Sequence, residues 1–76
     1  MLTPITLTPE DRKLLRLKAR RAVGRVSERI HFVLLFSKGH RVSEIAEIYE
    51  IDEQTVRSWL ERYRHDGVAG LEDHPD

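Results

Sequence analysis

Apolar residues recur along most of this chain with the period of an α-helix, and the first two periodic segments fill its N-terminal half. The first begins at Pro9, where Thr8 is placed to cap the helix and acidic residues occupy the first turn. The second begins near Ser27, or as early as Val26, and ends at Gly39. Its apolar positions are so dense that the pattern predicts the central core helix.

Residues 41–64 contain two shorter helical patterns separated by one tight break. Ser43 begins the first, and Asp52 begins the second, where its carboxylate can accept from amides of the first turn. Ala46 is expected where the two helices approach most closely, and Glu50 occupies the turn in a left-handed conformation that favours glycine. The predicted inward-facing set is Ile45, Ala46, Tyr49, Ile51 as a plug of the turn, Val56, Trp59, Leu60 and Tyr63. This spacing is typical of a helix-turn-helix unit.

The fourth helix is expected to continue to Arg64 or His65 and to end at Gly67, followed by a glycine-containing segment that returns Val68 and Leu71 to the core. The pattern thus predicts an all-α fold, a small four-helix domain with a homeodomain-like helix-turn-helix and a short irregular C-terminal tail. We assign residues 1–8 to an N-terminal arm, 9–67 to the helical domain and 68–76 to the tail.

Composition limits the class of protein further. A chain of 76 residues suits one small domain, and the absence of cysteine excludes disulfides and thiolate metal sites. The longest apolar run, Phe32–Phe36, is far shorter than the roughly 20 residues that span a bilayer, and no secretory signal pattern opens the chain. A cytoplasmic location without membrane association is therefore expected.

Charge is unevenly distributed although the formal net charge is zero. Residues 12–29 contain eight basic residues and one acidic residue, whereas residues 30–76 contain five basic and ten acidic residues. A basic segment of this kind indicates either a surface for a polyanion or a solvated helix face with its counter-charges folded beside it.

Five short motifs together resemble a known family. They read LTPEDR at Leu7–Arg12, RIHFVLL at Arg29–Leu35, SEIA at Ser43–Ala46, TVRSW at Thr55–Trp59 and GVAGLEDHP at Gly67–Pro75. In this order they resemble the N-terminal DNA-binding region of bacterial insertion-sequence transposases of the mariner superfamily. The resemblance covers nearly the whole chain and implies sequence-specific binding to double-stranded DNA, usually the terminal repeats of a mobile element. It also implies that the catalytic domain lies outside these residues, so that this chain should not cut or join DNA.

If the fourth helix enters the major groove, its exposed residues are the candidates for contact with bases. The Gln54 amide can form two hydrogen bonds with one adenine, and the Arg57 guanidinium can form two with one guanine. Glu53 can accept from cytosine, although a favourable charge at the helix N-terminus explains it equally simply. Ser58 completes the predicted base-contacting set.

Phosphate contacts are expected from the helix termini and the remaining cations, with the basic first helix able to add more. Arg64 can instead pair with Glu61 or Asp66 on the same surface, and Thr55 can serve as a cap. The predicted set is Arg41, Ser43, Thr55, Arg62 and Arg64, with Arg57 as a further candidate.

Two alternatives stay open at this point. One is a free-standing regulator of transcription that binds a palindrome as a homodimer, and the other is a helical interaction module in which the basic and acidic halves meet. An enzyme is not expected, because the chain shows no nucleophile with a base partner, no phosphate-binding glycine loop and no paired carboxylates. The four histidines lack metal-ligand spacing, so no metal, cofactor or small-molecule substrate is predicted.

Overall fold

Four α-helices and a short 3-10 helix form the architecture of the computed structural model, which describes residues 4–22 and 24–72. The α-helices are α1 (Pro9–Arg21), α2 (Arg25–Ser37), α3 (Val42–Tyr49) and α4 (Glu53–Asp66). The 3-10 helix, Gly67–Leu71, follows α4 directly. No strand occurs in the described ranges, and the all-α prediction is confirmed. Residues 1–3 of the predicted arm and 73–76 of the predicted tail lie outside those ranges.

The start of α1 has the Thr8 cap that its sequence predicts, and Asp11 makes that cap reciprocal. The Thr8 hydroxyl accepts from the Asp11 amide at 3.0 Å, and the Asp11 carboxylate accepts from the Thr8 amide at 3.3 Å. The predicted start of α2 was late, because this helix begins at Arg25 after Gly24, whose φ is +63°. The Ser27 hydroxyl is not a cap; it donates to the Ala19 carbonyl at 3.2 Å and so links α2 to α1.

The starts of α3 and α4 agree with prediction only in part. Helix α3 begins at Val42 instead of Ser43, because the Glu44 carboxylate accepts from the Arg41 amide at 2.9 Å and fixes Arg41 as the capping position. Asp52 is the N-cap residue of α4, as predicted. Its side chain nevertheless makes no capping hydrogen bond, so that part of the prediction was wrong.

Helix α2 lies at the centre of the domain and packs against α1, α3, α4 and the 3-10 helix. The fully buried side chains come from every helix, and they are Leu15, Ile30, Val33, Ile45, Val56, Leu60 and Leu71. Val68 packs against this core and Leu71 lies inside it, which confirms the predicted return of the chain after α4. The segment that returns is a regular 3-10 helix where irregular backbone was expected. Ile5 is also buried, so part of the predicted arm covers the core.

The turn between α3 and α4 has the backbone conformation that the sequence predicts and a different side-chain arrangement. Glu50 is left-handed, with φ +55°, and Ala46 is buried. Ile51, however, is 37% exposed and does not plug the turn. Its amide closes the helix end instead, donating to the Ala46 carbonyl at 3.0 Å. Tyr49, which meets the Phe32 ring edge to face at 5.0 Å, covers the core beside it.

The left-handed Glu50 yields a stability prediction. Glu50→Gly is expected to raise the free energy of unfolding by about 0.5 to 1 kcal/mol, because glycine relieves the steric penalty at positive φ but loses more entropy on folding. In a domain of this size the thermal midpoint should rise by a few degrees. Glu50→Ala is the matched control and should give no such gain, since alanine keeps the Cβ. Equal shifts for both variants would contradict this explanation.

Candidate nucleic-acid interface

One face of α4 is buried and the other is polar and exposed. Val56 and Leu60 are fully buried, and they fix the orientation of the helix on α2 and α3. All four predicted base-contacting residues, Glu53, Gln54, Arg57 and Ser58, are exposed. Since successive residues are 100° apart on a helix, Gln54, Arg57 and Ser58 form one continuous outer face opposite Val56. The structure therefore brings these three residues together on the surface.

Two ion pairs involve side chains on or beside this face. The Arg57 guanidinium lies 3.4 Å from the Glu53 carboxylate, and the Arg64 guanidinium lies 3.8 Å from that of Glu61. Exposed helical pairs of this kind are worth only about 0.3 to 0.5 kcal/mol, so either arginine can leave its partner for a stronger acceptor. Glu53 therefore serves as the partner that orients Arg57, in addition to its favourable place in the first turn of α4.

The C-terminal half of α4 contains a stack that sequence analysis missed. Trp59 is half-buried and packs against the core, with the Arg29 guanidinium 3.8 Å from its ring centroid and that of Arg62 at 4.9 Å. Arg29 is only 7% exposed and donates to the Leu71 carbonyl at 3.2 Å. Arg29 is thus a core residue that links α2, α4 and the 3-10 helix. Arg62, a predicted phosphate ligand, is exposed and rests over Trp59.

The other predicted phosphate ligands lie near the starts of α3 and α4. Arg41 and Ser43 flank the first residue of α3, and Thr55 is in the first turn of α4; all three are exposed. Helix N-termini have free amides and a partial positive charge, so the start of α3 and the start of α4 both suit an anion. His65, which sequence analysis did not include, is also exposed on the outer face of α4. Its spacing of seven residues from Ser58 is the signal that could have found it.

Lys18 lies on a different side of α1 from Arg12, Arg16 and Arg20. On one side, Lys18 pairs with Glu72 at 2.8 Å and is neutralised. On the other side, Arg12, Arg16 and Arg20 follow one another at four-residue spacing and form a stripe. Arg16 and Arg20 line a shallow depression with His31 and make no ion pair with another described residue. We call Arg12, Arg16 and Arg20 the α1 stripe.

Two tyrosine phenols have raised pKa values. Burial raises the pKa of the Tyr63 phenol, and the negative charge of Asp11 raises it further. Burial likewise raises the pKa of Tyr49, with a smaller contribution from Glu28.

The order of the helices, the tight turn and the polar outer face of α4 define a helix-turn-helix domain, a class that places its second helix in the major groove of DNA. A sequence profile described as a helix-turn-helix domain matches residues 28–76, and the chain belongs to this family. The matched region contains α2 from its fourth residue onward, together with α3, α4 and the 3-10 helix. Comparison with curated proteins and with solved structures gave no match.

None of the helices in residues 4–22 and 24–72 is long and apolar enough to cross a membrane. The same residues contain no group of three or more histidines and carboxylates arranged to hold a metal ion.

Proposed function

We propose that this domain binds double-stranded DNA in a sequence-specific manner, with α4 in the major groove. The observation that carries the proposal is the division of α4 into a buried apolar face and an exposed face that presents Gln54, Arg57 and Ser58. A glutamine amide and an arginine guanidinium are the side chains that pair with adenine and guanine in two places. The Ser58 hydroxyl can donate a hydrogen bond to a base edge or accept one from it.

Phosphate contacts on both sides of the groove would hold α4 in register. Arg41 and Ser43 at the start of α3, and Thr55 at the start of α4, would bind phosphates of one strand. Arg62 and Arg64 would bind phosphates further along α4, with Arg64 leaving Glu61 on binding. The α1 stripe would add a sequence-independent attraction to the phosphates. This attraction is needed because residues 30–76 contain more acidic than basic residues.

The biological role that the motif pattern favours is the recognition of transposon ends by a transposase in a bacterial cell, where the bound protein would associate with the nucleoid. The catalytic steps would belong to another domain. A dimeric regulator of transcription is the second candidate, and the geometry of the bound site separates the two. A regulator would protect two half-sites about 34 to 36 Å apart in a footprint, whereas an end-binding domain would protect a single asymmetric site.

Substitutions on α4 and α3 should affect binding in different ways. Gln54→Ala and Arg57→Ala are each expected to reduce discrimination at one base pair by roughly 5- to 150-fold, because each removes a two-fold base contact. Arg41→Ala should weaken binding to all sequences alike, since a phosphate contact carries no sequence information. Titrations by fluorescence anisotropy, with single-base variants of the selected site, measure both effects.

The matched control for these substitutions is Arg25→Ala. Arg25 is exposed at the start of α2 and belongs to none of the proposed contact sets. This variant should keep both affinity and base preference close to those of the unchanged domain. Full discrimination in both Gln54→Ala and Arg57→Ala would exclude the proposed base contacts through α4, and loss of discrimination in Arg25→Ala would show that the effects are not specific to that helix.

A further inference from the structure

Four large apolar side chains in the described part of the chain are exposed, and they occur as two pairs. Leu14 and Leu17 on α1 are 59% and 42% exposed. Ile48 at the end of α3 and Ile51 in the turn are 58% and 37% exposed. Single exposed apolar residues are common, but two adjacent ones form a small patch that association can cover.

The pair on α1 lies among positive charges. Leu14 and Leu17 are three residues apart and therefore neighbours on one side of the helix. Lys13 and Arg21 are each four residues from Leu17, and neither forms an ion pair with another described residue. Lys18, on the same side, is already paired with Glu72. We call Lys13, Leu14, Leu17 and Arg21 the α1 patch.

The pair at the turn lies among negative charges. Glu47 precedes Ile48, and Glu50 and Asp52 flank Ile51 on either side. No ion pair joins any of these three carboxylates to a residue within the described ranges. Glu44 differs from them, because its carboxylate caps the Arg41 amide and lies 3.9 Å from the His40 ring. We call the segment 47–52 the turn patch.

We propose that the α1 patch of one copy of this chain docks on the turn patch of a second copy. The two patches are complementary in charge and both are apolar at the centre. One patch surrounds two leucines with cations, and the other surrounds two isoleucines with carboxylates. Burial of four apolar side chains would drive the contact, and the opposite charges would fix its orientation. Because the two patches differ, each copy in a pair keeps one unused patch, and association can continue as a row of copies.

The contact should be weak. A stable interface covers about 800 Å² on each partner, which would be roughly one seventh of the 5572 Å² surface of this domain. Two apolar residues and two or three charges on each side cover less than that. We therefore expect dissociation constants in the micromolar to millimolar range, rising with salt as the charges are screened.

The α1 patch borders the α1 stripe without sharing a residue with it. With a rotation of 100° per residue, Leu14 and Arg21 lie about 140° to 160° around the helix from Arg16, and Lys13 lies about 20° from Arg20. The turn patch contains none of the residues assigned to base or phosphate contacts. Self-association can therefore be measured in the absence of DNA, and its outcome is independent of the proposed function.

Sedimentation velocity of the chain at low salt, over increasing protein concentration, tests the proposal with two variants. Leu14→Glu with Leu17→Glu removes the α1 patch, and Ile48→Lys with Ile51→Lys removes the turn patch. Each variant alone should remain monomeric. An equal mixture should form dimers and nothing larger, because each variant supplies the one patch that the other lacks.

Three results would overturn the proposal. They are a monomeric unchanged chain at the highest concentration, a mixture that stays monomeric, and association abolished by only one of the two variants.

Thr6→Glu and Ala69→Lys are controls with charge changes of the same sign at exposed sites outside both patches, and both should associate like the unchanged chain. Circular dichroism verifies the fold of each variant. If one unfolds, Lys13→Glu with Arg21→Glu and Glu47→Lys with Glu50→Lys replace them. Each of these charge-reversed variants alone should remain monomeric, and their mixture should associate beyond dimers, because the two reversed patches also carry opposite charges.

Discussion

Raising the salt concentration from 50 to 200 mM is expected to weaken binding of this domain to its DNA site by roughly 10³-fold. Each cation that neutralises a phosphate releases counterions, and the logarithm of the affinity falls by about 0.9 per contact for each tenfold rise in salt. The proposal assigns about six such contacts, with guanidinium groups from the starts of the helices, the C-terminal half of α4 and the α1 stripe. They are Arg12, Arg16, Arg20, Arg41, Arg62 and Arg64.

Half of this salt effect depends on whether α1 and α4 face the same DNA. Replacing Arg16 and Arg20 by glutamine should reduce the slope by about 2 and leave a loss of roughly 10²-fold over the same range. Replacing Arg25 and Lys38 by glutamine removes the same charge from exposed positions outside the contact set and should leave the slope unchanged. Equal slopes for both double variants would show that the stripe does not reach the phosphates.

The largest effect on stability is expected from Arg29→Ala, at about 3 to 5 kcal/mol. The buried guanidinium stacks on Trp59 at 3.8 Å and donates to the Leu71 carbonyl at 3.2 Å. A desolvated cation–π contact contributes about 2 kcal/mol, and a hydrogen bond from a charged donor about 1.5 to 3 kcal/mol. A domain of this length has a total stability of only about 4 to 11 kcal/mol, so the thermal midpoint should fall by well over 10 °C.

Denaturant unfolding of matched variants measures the Arg29 effect. Arg25→Ala, on the same helix but exposed, should change the free energy of unfolding by less than about 0.5 kcal/mol. A double-mutant cycle of Arg29→Ala with Trp59→Leu isolates the coupling between the two side chains, which should exceed about 1 kcal/mol. Additive effects in that cycle would mean that the stack does not hold α2 to α4.

The sequence was sufficient to predict the features that depend on interactions between residues close together in the chain. The cap formed by Thr8 and Asp11 joins residues three apart, and the left-handed Glu50 was expected because helix-turn-helix units often place glycine at this turn position. The alternation of buried and exposed positions on α4 likewise predicted that Gln54 and Arg57 would be exposed together. The ion pair of Arg57 with Glu53 spans four residues and was also within reach of a spacing argument.

Interactions between distant residues could not be predicted in the same way. Arg29 belongs to a run of basic residues, and nothing near it indicates burial. Its partners are 30 and 42 residues away, and only the packing of α4 and the 3-10 helix brings them to it. The start of α2 differed from prediction for a similar reason, since the hydroxyl of Ser27 bonds to the carbonyl of Ala19 on another helix.

Selection of DNA from a random pool, followed by sequencing, tests the central proposal most directly. Sequence-specific binding through α4 predicts that the unchanged domain selects a defined motif. The variants Gln54→Ala and Arg57→Ala should each select a motif in which one or two positions are relaxed. Arg25→Ala should select the original motif. Failure of the unchanged domain to enrich any sequence at low salt, or identical motifs from all of these proteins, would contradict sequence-specific binding through α4.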